Sequence, residues 1–249
     1  MDQRALIRSL HYAMERKRLL LMREHFLNVV SHELRNPLTS LKGSISLLHE
    51  GKLTDEADRR EALRIAMDAI ERLTRTTDLL LDLAKMNSRK VSMRPARFDL
   101  RPLITELGSF FRPDLERKGL AFRTVLPTWE VAVTADRDQI ARVLTNLIHN
   151  AIKFTPSGSI EVRVSEDQGL ALCSVTDTGP GVPAEERPRL FQKFSRLGGA
   201  QDVPGTGLGL SICREIVEVH KGRIWVEQAP SQGARFVFAL PKAAAGASL

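Results

Sequence analysis

Ser31-His32-Glu33-Leu34-Arg35-Asn36-Pro37-Leu38-Thr39-Ser40-Leu41-Lys42-Gly43-Ser44-Ile45-Ser46-Leu47-Leu48 decides the architecture of the amino-terminal part of this chain. Leu34, Leu38, Leu41, Ile45 and Leu48 recur at alternating steps of four and three, which predicts a helix with a heptad seam. With Ser31, Leu38 and Ile45 at position a and Leu34, Leu41 and Leu48 at d, His32 falls at b, Glu33 at c and Asn36 at f. Those positions face outward, so His32 should meet solvent with a carboxylate beside it and an amide one turn on. A neutral imidazole is a competent nucleophile, and a neighbouring carboxylate can orient it or take its proton. An exposed histidine on a helix is ordinarily mere surface. Pro37, however, removes a backbone hydrogen bond and should bend the helix just below His32, and a helix breaker inside a heptad run needs a reason.

A second seam follows through Leu63, Ala66, Ile70, Leu73, Thr77, Leu80 and Ala84. Between the two, Gly51 can end the first helix, and Thr54 or Asp55 can cap the second. Two long helices with a short connection make an antiparallel hairpin, and a lone hairpin leaves half of each seam uncovered. A homodimer forming a four-helix bundle is the expected remedy. Upstream, Leu6, Leu10, Met14, Leu20 and Leu21 continue the helical pattern. That stretch reads either as a coiled coil entering from an upstream module or as a solvated helical tail; the long pattern without caps favours the coiled coil.

The chain has 249 residues, 43% of them hydrophobic, enough for one large domain or two modest ones with real cores. Its apolar runs are only a few residues long, as at Leu19 to Met22, so no membrane span is expected. The polar, charged amino terminus does not read as a signal peptide. Cys173 and Cys213 lack metal-ligand spacing and fit a reducing compartment. A cytoplasmic protein is expected, with membrane tethering through a missing amino-terminal region left open. The net charge is +7, but basic residues are interleaved with acidic ones and aromatics are only 5%, so nucleic acid is not the expected partner.

After Pro95 the texture changes. Short β-type runs cover 120–125, 131–134, 159–164, 170–175, 223–226 and 235–240, with helical patterns at 100–118, 136–154 and 208–220. This predicts a mixed α/β domain, with 88–95 as the linker. The helix from Asp136 turns Ile140, Val143, Leu144, Leu147, Ile148 and Ala151 to the core and puts Asn146, Asn150 and Lys153 on the other face. Two amides and an ammonium in a row suit phosphate oxygens and an oxygen-liganded Mg²⁺, although a plain polar face would look the same. Asp177-Thr178-Gly179-Pro180-Gly181 follows a strand; its carboxylate can accept from an exocyclic amine, and its glycines let backbone approach a flat ring. Gly205-Thr206-Gly207-Leu208-Gly209-Leu210 opens a helix, as phosphate-binding turns do. The segment between, with Phe191, Phe194, Arg196 and Gly198-Gly199, reads as a flexible lid. No GxxxxGK[ST] occurs, which excludes a P-loop, and HRD and DFG are missing, which excludes a eukaryotic-type protein kinase.

These motifs together resemble the catalytic core of bacterial sensor histidine kinases. SHELRNPL looks like the H box, NLIHNAIKFT the N box, DTGPGV the G1 box, FQKF the F box and GTGLGLSI the G2 box, in family order from Phe26 to Leu240. The resemblance implies a helical lead-in over 1–22, a dimerisation and histidine phosphotransfer hairpin over 23–90, a Bergerat-type (GHKL) α/β sandwich that binds ATP over 95–242, and a disordered tail over 243–249. It assigns the phosphoacceptor to His32 and the general base to Glu33, with Asn36 placing water for dephosphorylation of a partner aspartate. It puts Mg²⁺ on Asn150, the phosphates near Asn146 and Lys153, and the adenine amine on Asp177. Ring and lid contacts fall to Gly179, Gly181, Gly205, Thr206, Gly207, Leu208 and Gly209, and a γ-phosphate contact to Arg196. The implied partners are a second copy of the chain, a response-regulator receiver domain and an upstream sensor module in a longer parent. Ser195 stands where the family often has an aromatic, which would loosen lid closure, and Asn36 stands where threonine is commoner. His149 and His220 match no motif role and read as structural or surface. Two rivals are a plain ATPase of the same superfamily, which needs no exposed histidine, and a scaffold with a dead ATP site, against which Asn150, Asp177 and the glycine sets argue.

Overall fold

The computed structural model describes residues 3–53, 55–87, 93–193, 195, 207–230 and 232–243. The chain forms two compact units, a helical one in Met1–Arg89 and an α/β one in Lys90–Gln201 with Gly207–Leu249.

The helical unit is the expected hairpin of α1 (Gln3–His49) and α2 (Glu56–Asn87). Gly51, at φ +63°, turns the chain out of α1. Of the two cap candidates, Asp55 accepts from the N–H of Ala57 at 3.2 Å, and Thr54 lies outside the described residues. α1 continues through Pro37, whose ring is buried. Proline has no N–H, so the Glu33 carbonyl, in the turn that carries His32, lacks its helical donor.

Packing within the hairpin keeps Ala66 of the expected second seam but otherwise uses positions one residue earlier, Ala62, Ala69 and Thr76. Ala62, Ala66, Ala69 and Thr76 of α2 are buried against a face of α1 that includes Pro37 and Ser44. These small side chains let two helices close up. Leu63 and Ile70 instead remain 54% and 44% exposed, beside Met67 at 57%, and on α1 Leu38 and Ile45 are 51% and 52% exposed. The heptad leucines thus divide: Leu34, Leu41, Leu48, Leu73 and Leu80 are half-buried in the single chain, and Leu38 and Leu63, with Ile45 and Ile70, leave an apolar stripe uncovered. Side chains of Leu6, Leu10, Leu20 and Leu21 lie outside what is described, and Met14 is exposed.

The α/β unit contains every expected strand and helix. In chain order these are α3 (Leu100–Lys118), β2 (Ala121–Val125), β3 (Ala132–Ala135), α4 (Arg137–Phe154), β4 (Ser159–Asp167), β5 (Leu170–Asp177), α5 (Gly209–Val219), β6 (Arg223–Gln228) and β7 (Ala234–Pro241). One strand was not expected: β1 (Ala96–Asp99), four residues that pair antiparallel with β3. It is too short and too charged to show alternation, and its partner is distant in sequence. Its last residue, Asp99, caps α3 by accepting from Arg101 N–H at 3.1 Å and reaches Val131 N–H at 3.2 Å. The main sheet runs β2-β4-β5-β7-β6, with β2 parallel to β4 and the other neighbours antiparallel. α4 packs against both α3 and α5 and against the sheet. Ile140, Val143, Leu144, Leu147 and Ile148 of α4 are fully buried, as the helical pattern requires; each contributes roughly 1.5–3 kcal/mol by leaving water. At the carboxyl end, Lys242 bridges to Val133 and Ala243 N–H donates to Ala132 O at 2.9 Å. Residues 244–249 lie outside the described set.

Candidate functional site

α4 is the site's backbone. Asp136 caps it by accepting from the N–H groups of Asp138 and Gln139 at 3.1 and 3.2 Å. Asp136 also gives its own N–H to Nε2 of His220 at 3.0 Å, while Nδ1 of His220 donates to the Ile216 carbonyl at 2.7 Å. That buried imidazole is therefore neutral and structural: it ties the end of α5 to the start of α4. His149 is half-buried.

Asn146, Asn150 and Lys153 share the half-buried outer face of α4. The Asn146 carboxamide nitrogen donates to the Cys213 thiol at 3.0 Å, and that thiol faces the Val143 carbonyl at 3.9 Å. Burial pushes the Cys213 thiol up to about 12, so it stays protonated at neutral pH. Gly209 opens α5 against the same amide; a Cβ there would sit 2.5 Å from Asn146 Oδ1. The Lys153 ammonium lies 4.7 Å from the Phe154 ring centroid.

Asp177 ends β5 and is only 4% exposed. Its Oδ1 accepts from Gly179 N–H at 2.9 Å and from Ala234 N–H at 3.2 Å. Oδ2 receives no hydrogen bond from the described residues, which leaves an acceptor for an incoming N–H donor. Burial pushes the carboxyl above the usual carboxylate range, and the two N–H groups pull the other way. The turn between β6 and β7 completes this corner. Gly233 packs under the Asp177 carbonyl where any Cβ would collide, and a Cβ on Gly181, already at φ +74°, would lie 2.5 Å from the Gln232 carbonyl. Gly179 leaves no space for a side chain beside Phe154 O, 2.6 Å from its Cβ position.

At the G2-like segment Gly207 has φ +67° and Leu208 is fully buried. The Leu208 side chain belongs to the core, so a ligand contact from that residue can come only through its backbone. Phe191 meets Phe236 edge-on at 6.4 Å. Phe194, Arg196, Gly198, Gly199, Gly205 and Thr206 lie outside the described residues.

In the helical unit His32 and Asn36 are exposed and Glu33 is half-buried. Asn36 Nδ2 lies 3.2 Å from His32 Nδ1. Among the described residues no group of three or more His, Cys, Asp or Glu could hold a metal, and no helix is long and apolar enough to cross a membrane.

Sequence reasoning missed Cys213, Gly233, Ala234 and Thr178. Thr178 Oγ1 accepts from Ser159 N–H at 2.9 Å and holds the end of β5 beside β4. Gly233 carries a sequence signal, a glycine just before a strand, but the partner it approaches is invisible without the fold.

Comparison with known proteins agrees with this geometry. Residues 22–89 match the family model described as His Kinase A (phospho-acceptor) domain, and residues 135–244 the model described as Histidine kinase-, DNA gyrase B-, and HSP90-like ATPase. The chain is 35% identical over 246 residues to the adaptive-response sensory kinase SasA of Thermosynechococcus vestitus, covering 91% of this chain and 63% of that one. It therefore spans less than two thirds of that relative's length. Among solved structures, the catalytic domain of the histidine kinase ThkA is 34% identical with a TM-score of 0.55, covering 60% of this chain and 99% of that domain. A crystal structure of ThkA in complex with the response regulator protein TrrA is 28% identical with a TM-score of 0.67, covering 98% of this chain and 68% of that one.

Proposed function

The chain belongs to the sensor histidine kinases, and we propose that it is the kinase core of a longer protein, phosphorylating its own His32 from ATP and passing the phosphoryl group to an aspartate of a response regulator. One observation carries this reading. A single chain presents an exposed imidazole paired to an amide on an outer helix face and, in its ATPase-type unit, a buried carboxylate with one oxygen open to a donor.

In the proposed mechanism Asp177 Oδ2 accepts from the adenine amine. Gly179 and Gly181 let backbone lie against the ring, and the N–H groups around Gly207, Leu208 and Gly209 face the phosphates. Asn146 and Lys153 add a polar group and a positive charge. Asn150 supplies one hard oxygen for Mg²⁺, and with no carboxylate cluster nearby among the described residues, phosphate oxygens and water would complete its shell. When bound, Mg²⁺ offsets charge on the transferring phosphoryl group. An imidazole nitrogen of His32 attacks the γ-phosphorus, the bond from phosphorus to the ADP oxygen breaks, and the imidazole proton passes to Glu33. The phosphoryl group then moves to the acceptor aspartate, regenerating neutral His32, and Asn36 places the water that later removes it. Arg196, Gly205 and Thr206 keep the lid and phosphate roles implied by their motifs.

The stripe of Leu38, Ile45, Leu63, Met67 and Ile70 supports a homodimer, since a second hairpin would cover it as a four-helix bundle. The ThkA complex with TrrA supports a response regulator as partner. The greater length of SasA supports an upstream module, with residues 1–22 as the helical lead-in, 23–90 as the phosphotransfer unit and 95–242 as the ATP unit.

The test is incubation with γ-labelled ATP and Mg²⁺, comparing wild type with His32→Gln. Acid-labile label on wild type and none on His32→Gln is expected. Equal, acid-stable label on both would sink the histidine-kinase reading, and no label with normal ATP binding would favour a scaffold.

A further inference from the structure

Arg187 has no part in the mechanism above. It begins the short 3-10 turn Arg187–Arg189 in the segment that follows Gly181. Its guanidinium makes two directed bonds: Nε donates to the Val182 carbonyl at 3.0 Å, and Nη2 donates to Gln228 Oε1 at 2.6 Å. Gln228 is the last residue of β6, and its own amide nitrogen donates to the carbonyls of Gln232 at 2.5 Å and Gly233 at 3.3 Å. Those two carbonyls belong to the turn that walls the base corner. Gly233 packs under Asp177, the next residue Ala234 donates to Asp177 Oδ1, and the Gln232 carbonyl abuts Gly181.

The chemistry of a carboxamide makes this chain of contacts directional. Gln228 can serve the turn only with its nitrogen toward the two carbonyls, because turned over it would set its oxygen against theirs. A guanidinium has donors and no acceptor, so Arg187 can pair only with the oxygen. Fixing Oε1 outward fixes Nε2 inward. We propose that Arg187 is a positioning residue for the nucleotide base corner, acting through Gln228. It locks the amide that holds the β6–β7 turn against Asp177 and Gly181. This rests on the nucleotide reading of the site.

The role predicts an effect on affinity rather than on chemistry. ADP binding is measured by calorimetry in Mg²⁺ on the whole chain, alongside thermal midpoints and the KM and kcat of autophosphorylation. Arg187→Met should weaken ADP about fivefold and raise KM for ATP in step, with kcat at saturating ATP and the thermal midpoint unchanged. Arg187→Lys, which keeps the charge but not the fork, should lose part of that affinity. Gln228→Glu is the sharper variant: it gives Arg187 a better partner but sets carboxylate oxygen against the turn carbonyls, so it should bind ADP no better than Arg187→Met. Adding Arg187→Met to Gln228→Ala should cost nothing further. Wild-type affinity in Gln228→Glu, or losses that add in the double variant, would overturn the relay while leaving the nucleotide reading intact. Failure of wild type itself to bind ADP would overturn both.

Discussion

Asn36 directs its carboxamide nitrogen at Nδ1 of His32, 3.2 Å away and one helical turn on. Donation to Nδ1 keeps the imidazole proton on Nε2 and draws density away from the ring, which quiets the nucleophile. Were the amide turned over, its oxygen would accept from Nδ1–H and free the Nε2 lone pair. A neutral hydrogen bond contributes about 0.5–1.5 kcal/mol, so removing the donor should speed autophosphorylation about two- to tenfold. Single-turnover labelling of Asn36→Ala at saturating ATP checks this, and a slower rate would mean that the oxygen faces the ring.

Asp177 links stability and binding with opposite signs. Burial raises its carboxyl in the folded unit, so the folded chain holds that proton more tightly than the unfolded one. The resulting stability is fully present below the unfolded value and is lost as pH rises through the folded value. At neutral pH the ionised group therefore destabilises the ligand-free unit. Asp177→Asn keeps an oxygen for Gly179 and Ala234 and removes the charge. Its ligand-free thermal midpoint should rise by a few degrees at pH 7, with the gain shrinking as pH falls through the carboxylate range. ADP affinity should fall at least about tenfold, since an amide N–H would then face the adenine amine.

The Asn146–Cys213 bond joins α4 to α5 behind the surface proposed to face the phosphates. Cys213→Ser retains an acceptor and should bind ATP within about twofold of wild type. Cys213→Val matches the thiol in shape but strands the Asn146 amide, and KM for ATP should rise about two- to tenfold, by the worth of one neutral hydrogen bond. Equal KM values for the two variants would show that Asn146 does not need the thiol.

The exposed stripe on the hairpin should be the dimer's core. Ile45→Glu puts a charge where a second bundle helix would bury it. Light scattering should find wild type as a dimer and Ile45→Glu as a monomer at micromolar concentration. Glu71→Ala, at an exposed position of α2 outside that stripe, should remain a dimer.

Periodicity and local chemistry account for what was legible beforehand. The apolar face of α4, the hairpin around Gly51, every strand but β1 and the exposure of His32 follow from spacings of a few residues, and a helix or strand converts such spacing directly into a face. The one-residue offset in α2 was not legible, because a heptad pattern does not say which half of a seam meets its own chain and which meets a second copy. Small Ala62 and Ala69 joined the expected Ala66 in the internal contact because they allow closer approach than Leu63 and Ile70.

The candidate roles of His32, Asn150 and Asp177 were expectations from residue type and motif. Their second ring of partners was decided by tertiary structure alone. Asn146 meets Cys213 across 67 positions, Asp177 meets Ala234 across 57, and Asp136 meets His220 across 84. None of these pairs shares an element, so no local period could have joined them. They meet because α4 packs beside α5 and β5 pairs with β7, and those contacts form only when the buried faces close on one another.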